Sequence, residues 1–328
     1  MGLYPVFINS SANGLQLSRL DIIVTCGSVD KNTYLWPGFK KYPAPYDMFL
    51  FKRESDIKEY LAFQRACGNT IGFAPTMGAL HQGHLSLIQR SKSENDCTVC
   101  SIFVNPTQFN KADDLKLYPR TTAKDIELLL KVGCQLLFFP STEEIYPQNG
   151  KKPTKMDFGA LTTVMEGKFR PGHFEGVVQV VERLLNIVEP DHLYLGEKDF
   201  QQFTIIKAMV EKLQLKTKVI GVPIVREPDG LAMSSRNVRL SAEQRKIAPE
   251  IYQTLQEVGA MINRNSPEEI RHYALKKLSR PGFQPEYFEI VDRYSLQPVN
   301  SFEDTDDLIV CTAVWLGEIR LIDNLIVG

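Results

Sequence analysis

Between residues 70 and 225, short continuous apolar runs alternate with longer amphipathic segments, and no other feature of this 328-residue chain restricts its fold so strongly. A run without internal alternation suits a strand buried on both faces, and the amphipathic stretch after it suits a helix crossing back over the sheet. The runs lie at residues 70–74, 97–104, 135–139, 192–195 and 218–225. Helices are expected from Leu85 onward and over 121–132, 176–188 and 200–213. In the third of these Val177, Val180, Val181, Leu184, Leu185 and Val188 fall on one stripe. The pattern predicts an α/β fold with a Rossmann-like doubly wound parallel sheet, over residues 48–225.

After the turn signal Pro228-Asp229-Gly230 the pattern changes to two helices and then three strands, at 285–291, 307–316 and 320–327. Ser266, Pro267 and Glu269 announce the second helix as N-cap, first helical residue and capping partner. Gly317 turns the last two strands into an antiparallel pair. Residues 226–328 are therefore expected to form a smaller α+β domain. Residues 1–47 show no sustained period; apolar fragments at 20–24 and 34–36 could pack on the body, and the role of this extension is unknown.

Charge balances at net -1, which offers nothing to nucleic acid or to an acidic membrane surface. No apolar run approaches a membrane span, and no secretory signal opens the chain, so a cytoplasmic protein is expected. The six cysteines (26, 67, 97, 100, 134, 311) are scattered as free thiols of a reducing compartment are. Cys97 and Cys100 form a CxxC inside a strand pattern, where residues three apart face opposite ways, so they read as buried thiols rather than a metal or redox pair.

The chemistry is concentrated where the first strand of the sheet passes into its first helix, at Pro75-Thr76-Met77-Gly78-Ala79-Leu80-His81-Gln82-Gly83-His84. Open α/β sheets bind ligands at the carboxyl ends of their strands. Gly78 and Gly83 admit a phosphate close to the backbone, the helix amides attract it, and His81 and His84, three apart, can donate to its oxygens from one side. A zinc site is the rival reading of HxxH, but no third ligand is evident. A second segment, Met233-Ser234-Ser235-Arg236-Asn237, offers two hydroxyls and a guanidinium as a clamp for a triphosphate.

A histidine motif at the first helix with a distant Met-Ser loop resembles the HxGH nucleotidyltransferase superfamily. Within it the chain resembles the pantoate–β-alanine ligase family more closely. The likeness rests on Pro75 through His84, Phe103-Val104-Asn105-Pro106-Thr107-Gln108-Phe109, Tyr118-Pro119-Arg120-Thr121, Gly196-Glu197-Lys198-Asp199-Phe200-Gln201-Gln202, the segment from Asp229 to Asn237 and the closing Arg320-Leu321-Ile322-Asp323-Asn324. It runs from about Met48 to the C-terminus, and Met48-Phe49-Leu50-Phe51 resembles the usual family start. Gln82 stands where relatives commonly carry glutamate.

The resemblance implies a two-step reaction. Pantoate attacks the α-phosphate of ATP to give an adenylate, and β-alanine then displaces AMP. His84 is the implied proton donor, with His81, Lys198 and Arg236 as catalytic partners. Met77, Gly78, Ala79, Leu80, Gln82, Gly83, Gly196, Glu197, Asp199, Val225, Met233, Ser234 and Ser235 complete the implied ATP site. Gln108, Gln202 and Asn105 would hold pantoate through neutral amides. Mg2+ is expected on the triphosphate; Asp125 reads equally as an acidic group near it or as a first-turn aspartate favoured by the helix dipole. Arg170 and His173, in a further matching segment, could bind an anion or anchor a loop. A homodimer and a C-terminal domain that closes as a lid are also implied.

Other functions are weighed against this one. A nucleotidyltransferase for a phosphate ester would need cations where Asn105, Gln108 and Gln202 are neutral. A non-catalytic ATP sensor would bind without turnover. A tRNA synthetase lacks support from the charge balance.

Overall fold

The computed structural model describes residues 6–8, 48–110, 112–148, 156–262 and 264–327. Its first sheet has seven strands: β1 Val6–Ile8, β2 Met48–Phe51, β3 Ile71–Thr76, β4 Cys97–Ile102, β5 Leu136–Phe138, β6 His192–Gly196 and β7 Lys218–Val222, in the order β1-β2-β5-β4-β3-β6-β7. Strands β2 to β7 are parallel, and β1 lies antiparallel on β2. Every residue of β4 and β5 is buried, as continuous apolar runs predict for central strands.

Each face of the sheet carries its own core. Ile71, Phe73, Val99, Leu136 and Leu193 face helices Glu54–Ala66, His173–Val188 and Phe200–Lys212. Ala74, Cys100, Ile102, Leu137 and Tyr194 face helices Gln82–Glu94 and Thr122–Val132. Cys97 and Cys100 fall in opposite cores, and burial pushes the Cys97 thiol up to about 12, which leaves it inert at neutral pH. The valine and leucine stripe of His173–Val188 is buried along its whole length.

The chain leaves β3 to one side for β4 and later returns on the other side with β6. This reversal opens a crevice above the carboxyl ends of β3 and β6, where a doubly wound sheet receives its ligand. The His81–His84 turn and the Gly196–Asp199 turn stand on either side of it.

The second sheet holds β8 Gln284–Asp292, β9 Leu308–Leu316 and β10 Ile319–Val327, all antiparallel in the order β10-β9-β8. The expected capping box forms: Ser266 Oγ accepts from Glu269 N at 3.3 Å, and Glu269 Oε2 accepts from Ser266 N at 2.8 Å. Among the described residues three helices precede this sheet rather than two: Ala242–Ile247, Glu250–Met261 and Pro267–Lys277. Pro249 has no N–H to continue the first of them, so the chain restarts.

Other boundaries differ from expectation too, and helix His173–Val188 starts three residues before the expected Gly176. Strand β7 stops at Val222, where Pro223 removes the next donor, and β4 stops at Ile102. The first motif helix begins at Gln82 rather than Leu85, so both histidines belong to its first turn. Strand β2 and helix Glu54–Ala66 were not anticipated as elements. Of the extension, residues 6–8 supply β1, while the fragments at 20–24 and 34–36 and Cys26 lie outside the described residues. Among the described residues no helix is long and apolar enough to cross a membrane.

Candidate active site

The turn after β3 takes a left-handed path at two successive residues, Gly78 at φ +78° and Ala79 at φ +49°. Gly78 relieves that conformation, and an added Cβ there would stand 3.0 Å from Asp125 Oδ2. Ala79 has no such freedom and is held by its neighbours. Its N–H donates to Asp125 Oδ2 at 3.0 Å, and the next N–H, of buried Leu80, donates to Oδ1 at 2.8 Å. Thr121 Oγ1 donates to Oδ1 as well, at 3.1 Å. Asp125 is 1% exposed. It stands in the first turn of helix Thr122–Val132, one of the two positions weighed for it, and its carboxylate braces the motif loop.

His81 is the N-cap of helix Gln82–Glu94. Its Nδ1 accepts from Gly83 N at 3.1 Å, and His84 Nδ1 accepts from His81 N at 3.3 Å, so the two side chains replace the hydroxyl and carboxylate of an ordinary capping box. A ring nitrogen that accepts carries no proton. Both imidazoles are thereby set as the Nε2–H tautomer, each with one donor left, and the rings lie 4.0 Å apart. Gly83 is needed here because a Cβ would come within 2.9 Å of the His81 ring.

Both rings are neutral at pH 7. Burial, then the charge of Lys198, lowers His81 to about 4 against an opposing pull from Asp199; burial, His81 and Lys198 together lower His84 to about 3. His173, also buried, falls to about 4 through burial and then Arg170. A histidine depressed in the folded state contributes stability above its unfolded value, near 6.5, and loses it as pH falls toward the folded value. We therefore expect the ligand-free protein to lose roughly 1.4 kcal/mol per pH unit for each of these groups below about pH 6.5. Urea unfolding at pH 7.5, 6 and 5 checks this, and His173→Gln is expected to flatten the decline. Equal slopes in the two proteins would count against it.

The second loop sits on the first. Met233 N donates to Val225 O at 3.0 Å, Arg236 N donates to Ser234 Oγ at 3.2 Å, and Ser235 Oγ donates to Ala79 O at 3.0 Å. The two segments are joined across 156 positions of sequence. Arg236 Nη2 donates to Asp114 Oδ2 at 2.9 Å, in helix Ala112–Leu117, so the guanidinium already has an anionic partner.

Across the crevice, Gly196 ends β6, and Glu197, Lys198 and Asp199 form a single tight turn. Asn324 of β10 fastens that turn, its Nδ2 donating to the carbonyls of Glu197 and Lys198 at 2.9 Å each. Asp323 beside it accepts both arms of Arg226, at 2.7 and 3.0 Å, and Arg226 stacks on Tyr252 with its guanidinium carbon 3.6 Å from the ring centre. The sequence reading gave Asn324, Asp323 and Arg226 no role. Two adjacent amphoteric or acidic residues inside an apolar strand were the available sign, since buried polar groups need partners.

Lys198, Asp199, Gln202, Arg170, His173 and Asp323 line one cavity between the two sheets. A second recess lies against Met77, Gly78, Ala79, Asp125 and Arg120. Gln201 and Gln202 diverge: Gln201 is buried and spends its amide on Leu161 O, Val164 O and Glu166 N, while Gln202 faces the cavity. Gln108 Nε2 points at Met77 Sδ, 3.3 Å away.

Asn105 lies against Gln108. Its Nδ2 donates to Gln108 Oε1 and Gly176 O at 3.1 Å each, and its Oδ1 accepts from Thr107 N and Oγ1 and from Tyr146 OH. Both hydrogens of its amide are engaged, and one of them orients Gln108. Among the described residues no group of three or more His, Cys, Asp or Glu side chains could hold a metal ion. The zinc reading of His81 and His84 has no third ligand.

The Pantoate-beta-alanine ligase family model matches residues 50–326. The pantothenate synthetase of Porphyromonas gingivalis strain W83 is 48% identical over 279 residues, covering 85% of this chain and 99% of that one. That of Bacteroides thetaiotaomicron is 49% identical over 271 residues, covering 82% and 95%. The crystal structure of pantothenate synthetase from Thermus thermophilus aligns with a TM-score of 0.78 at 40% identity, over 84% of this chain and 98% of that one. Pantoate-beta-alanine ligase from Francisella tularensis, complexed with Beta-gamma ATP and Beta-alanine, aligns at 0.70 and 36% identity, over 85% and 97%. With the family model spanning residues 50–326, relatives of 48–49% identity covered over 95% or more of their length, and the paired histidine and serine loops meeting above the β3/β6 crevice, this chain belongs to the pantoate–β-alanine ligase family.

Proposed function

We propose that the chain condenses pantoate with β-alanine at the expense of ATP, through a pantoyl adenylate. The contact of Ser235 with Ala79 carries this reading most directly, because it brings a hydroxyl- and guanidinium-bearing loop onto a turn that already aims two Nε2–H donors outward. One carboxylate oxygen of pantoate attacks the α-phosphorus, the bond to the β-phosphate breaks, and pyrophosphate leaves with the electron pair. The β-alanine nitrogen then attacks the acyl carbon, loses a proton, and expels AMP.

His81 and His84 stabilise the developing charge as neutral hydrogen-bond donors, and Lys198 stands beside the attacked phosphorus. Gln108 and Gln202 grip pantoate's hydroxyl and carboxylate, since amides both donate and accept. The turn Gly196 to Asp199 and Val225 border the nucleoside; Met233, Ser234, Ser235 and Arg236 close on the triphosphate. Mg2+ would be held by the nucleotide's phosphates and water and would offset part of the phosphate charge. Pantoate-dependent exchange of labelled pyrophosphate into ATP, with β-alanine absent, tests the whole reading. Absence of exchange would defeat it. A homodimer resting on the parallel-sheet domain, residues 48–225, with residues 226–328 closing as a lid, completes the proposal; sedimentation at a monomer mass would remove the dimer.

Arg236 must exchange Asp114 for phosphate when ATP binds. Both side chains of that pair are about 30% exposed, so the pair is worth at most about 1 kcal/mol. Asp114→Asn is expected to lower the KM for ATP by about two- to fivefold with kcat little changed. A raised KM would show that Asp114 orients Arg236 rather than competing for it.

A further inference from the structure

Building on the reading of Gln108 and Gln202 as the pantoate grip, we infer that Glu166 is a positioning residue that makes this grip conditional on docking of the C-terminal sheet. Glu166 stands in the short helix Met165–Phe169, 7% exposed, in the wall of the cavity between the sheets. Two groups of the C-terminal sheet reach it. Arg320 of β10 donates Nη1 to Oε2 at 2.8 Å and Nη2 to Oε1 at 2.7 Å, and Tyr287 of β8 donates its hydroxyl to Oε1 at 2.9 Å.

On the other side of Glu166 a directed chain begins. Arg170 Nη1 donates to Glu166 Oε2 at 3.4 Å and to His173 Nε2 at 3.0 Å, one hydrogen for each. His173 Nδ1 lies 2.9 Å from the carbonyl oxygen of Gln108. A carbonyl only accepts and a guanidinium only donates, so the ring must carry its proton on Nδ1 and present a lone pair at Nε2. The sequence of bonds has one sense, from Arg170 through His173 to the backbone of the residue that grips substrate.

Its two ends respond differently to separation of the sheets. Arg320 Nε also donates to Glu286 Oε2 at 2.9 Å, and Glu286 belongs to the same C-terminal sheet, so Arg320 withdraws with an anionic partner. Glu166 has no such reserve. Once Arg320 and Tyr287 leave, Arg170 is the cation beside it, and a buried carboxylate without adequate partners is costly. Arg170 then moves fully onto Glu166, His173 loses its donor, and the Gln108 segment loses its restraint. Closed sheets hold the grip; open sheets relax it. The carboxylate stays ionised throughout the working range: burial opposes its charge, but Arg320, then Arg170 and Tyr287, hold it at about 2.

The experiment measures KM for pantoate and for ATP separately in pantoate-dependent pyrophosphate exchange, with the full-length chain. Glu166→Gln removes the charge that, with Arg320 and Tyr287 in place, holds Arg170 beside His173; it is expected to raise the pantoate KM about tenfold, the size of one lost charge-assisted hydrogen bond, and to leave the ATP KM within about twofold. In a His173→Ala background the same substitution is expected to add nothing further, because the chain is already cut. An unchanged pantoate KM, a parallel rise in both constants, or independent effects of the two substitutions would each overturn the inference. Tyr287→Phe, which removes a single hydroxyl, carries the same test with an expected rise of about threefold if Glu166→Gln does not fold. Failure of the underlying reading looks different: wild-type protein would show no exchange with pantoate, or Gln108→Ala would leave the pantoate KM unmoved, and the inference would fall with it.

Discussion

His84→Ala is expected to lower the rate of adenylate formation about 100-fold, the usual loss when one preorganised donor is removed from a developing charge. The donor is prepared before substrate arrives. His84 Nδ1 is occupied by the His81 amide, so Nε2–H can only point away from the helix, and burial beside His81 and Lys198 keeps the ring neutral. A neutral imidazole at pH 7 supplies a hydrogen bond rather than a transferable proton. The part implied by resemblance is a different one, in which His84 gives up a proton. The two parts separate experimentally: hydrogen-bond donation predicts an adenylation rate without a titration between pH 6 and 8, whereas proton transfer from an imidazolium predicts a fall across that range. Single-turnover adenylation in wild type and His84→Ala, followed against pH, decides between them. A variant within threefold of wild type would take His84 out of the reaction.

Asp125→Ala carries the second large effect, and it acts on stability and activity together. The substitution strands the amides of Ala79 and Leu80, both turned inward, and frees a non-glycine residue from a left-handed conformation it does not adopt unaided. Each unpaired buried amide costs about 1–3 kcal/mol, so a loss of about 2–4 kcal/mol in urea unfolding is expected. Exchange activity is expected to fall at least about tenfold, because the collapsed loop carries His81, His84 and the Ser235 contact. Asp125→Asn, which retains one acceptor, should fall between. If ligand-free Asp125→Ala were as stable as wild type and only its Mg2+ requirement rose, the carboxylate would be a metal ligand and the brace reading would be wrong.

How much of this was legible in the sequence differs by element. The central strands were, because continuous apolar runs of five to eight residues have few other uses. Strand β2 was not, since four apolar residues before a charged helix carry too little periodicity to separate strand from loop. The first helix was read three residues short, because histidine is an uncommon N-cap and the glycine at position 83 argued for a loop. Gln108 and Gln202 were singled out through the motifs around them, and their grip on pantoate is a proposal. Asn105 was singled out with them, but nothing in the order Asn105-Pro106-Thr107-Gln108 indicates that Tyr146 and Gly176 would bond its polar atoms.

By itself the sequence determined that strands would alternate with crossing helices, that a glycine- and histidine-bearing turn would follow the first central strand, and that the chain carried its family's motifs in order. Only the tertiary structure decided where the charges and lone pairs went. Asp125 meets Leu80 across 45 positions, Asp323 meets Arg226 across 97, and Glu166 meets Arg320 across 154. Such pairings leave no trace in local periodicity, because a carboxylate is stabilised by whatever donor the fold delivers to it and not by its neighbours in the chain. The tautomers of His81, His84 and His173 have the same origin: each is set by the amide or carbonyl that folding places at one ring nitrogen, and that choice determines which nitrogen is left to meet a phosphate or to hold a neighbour.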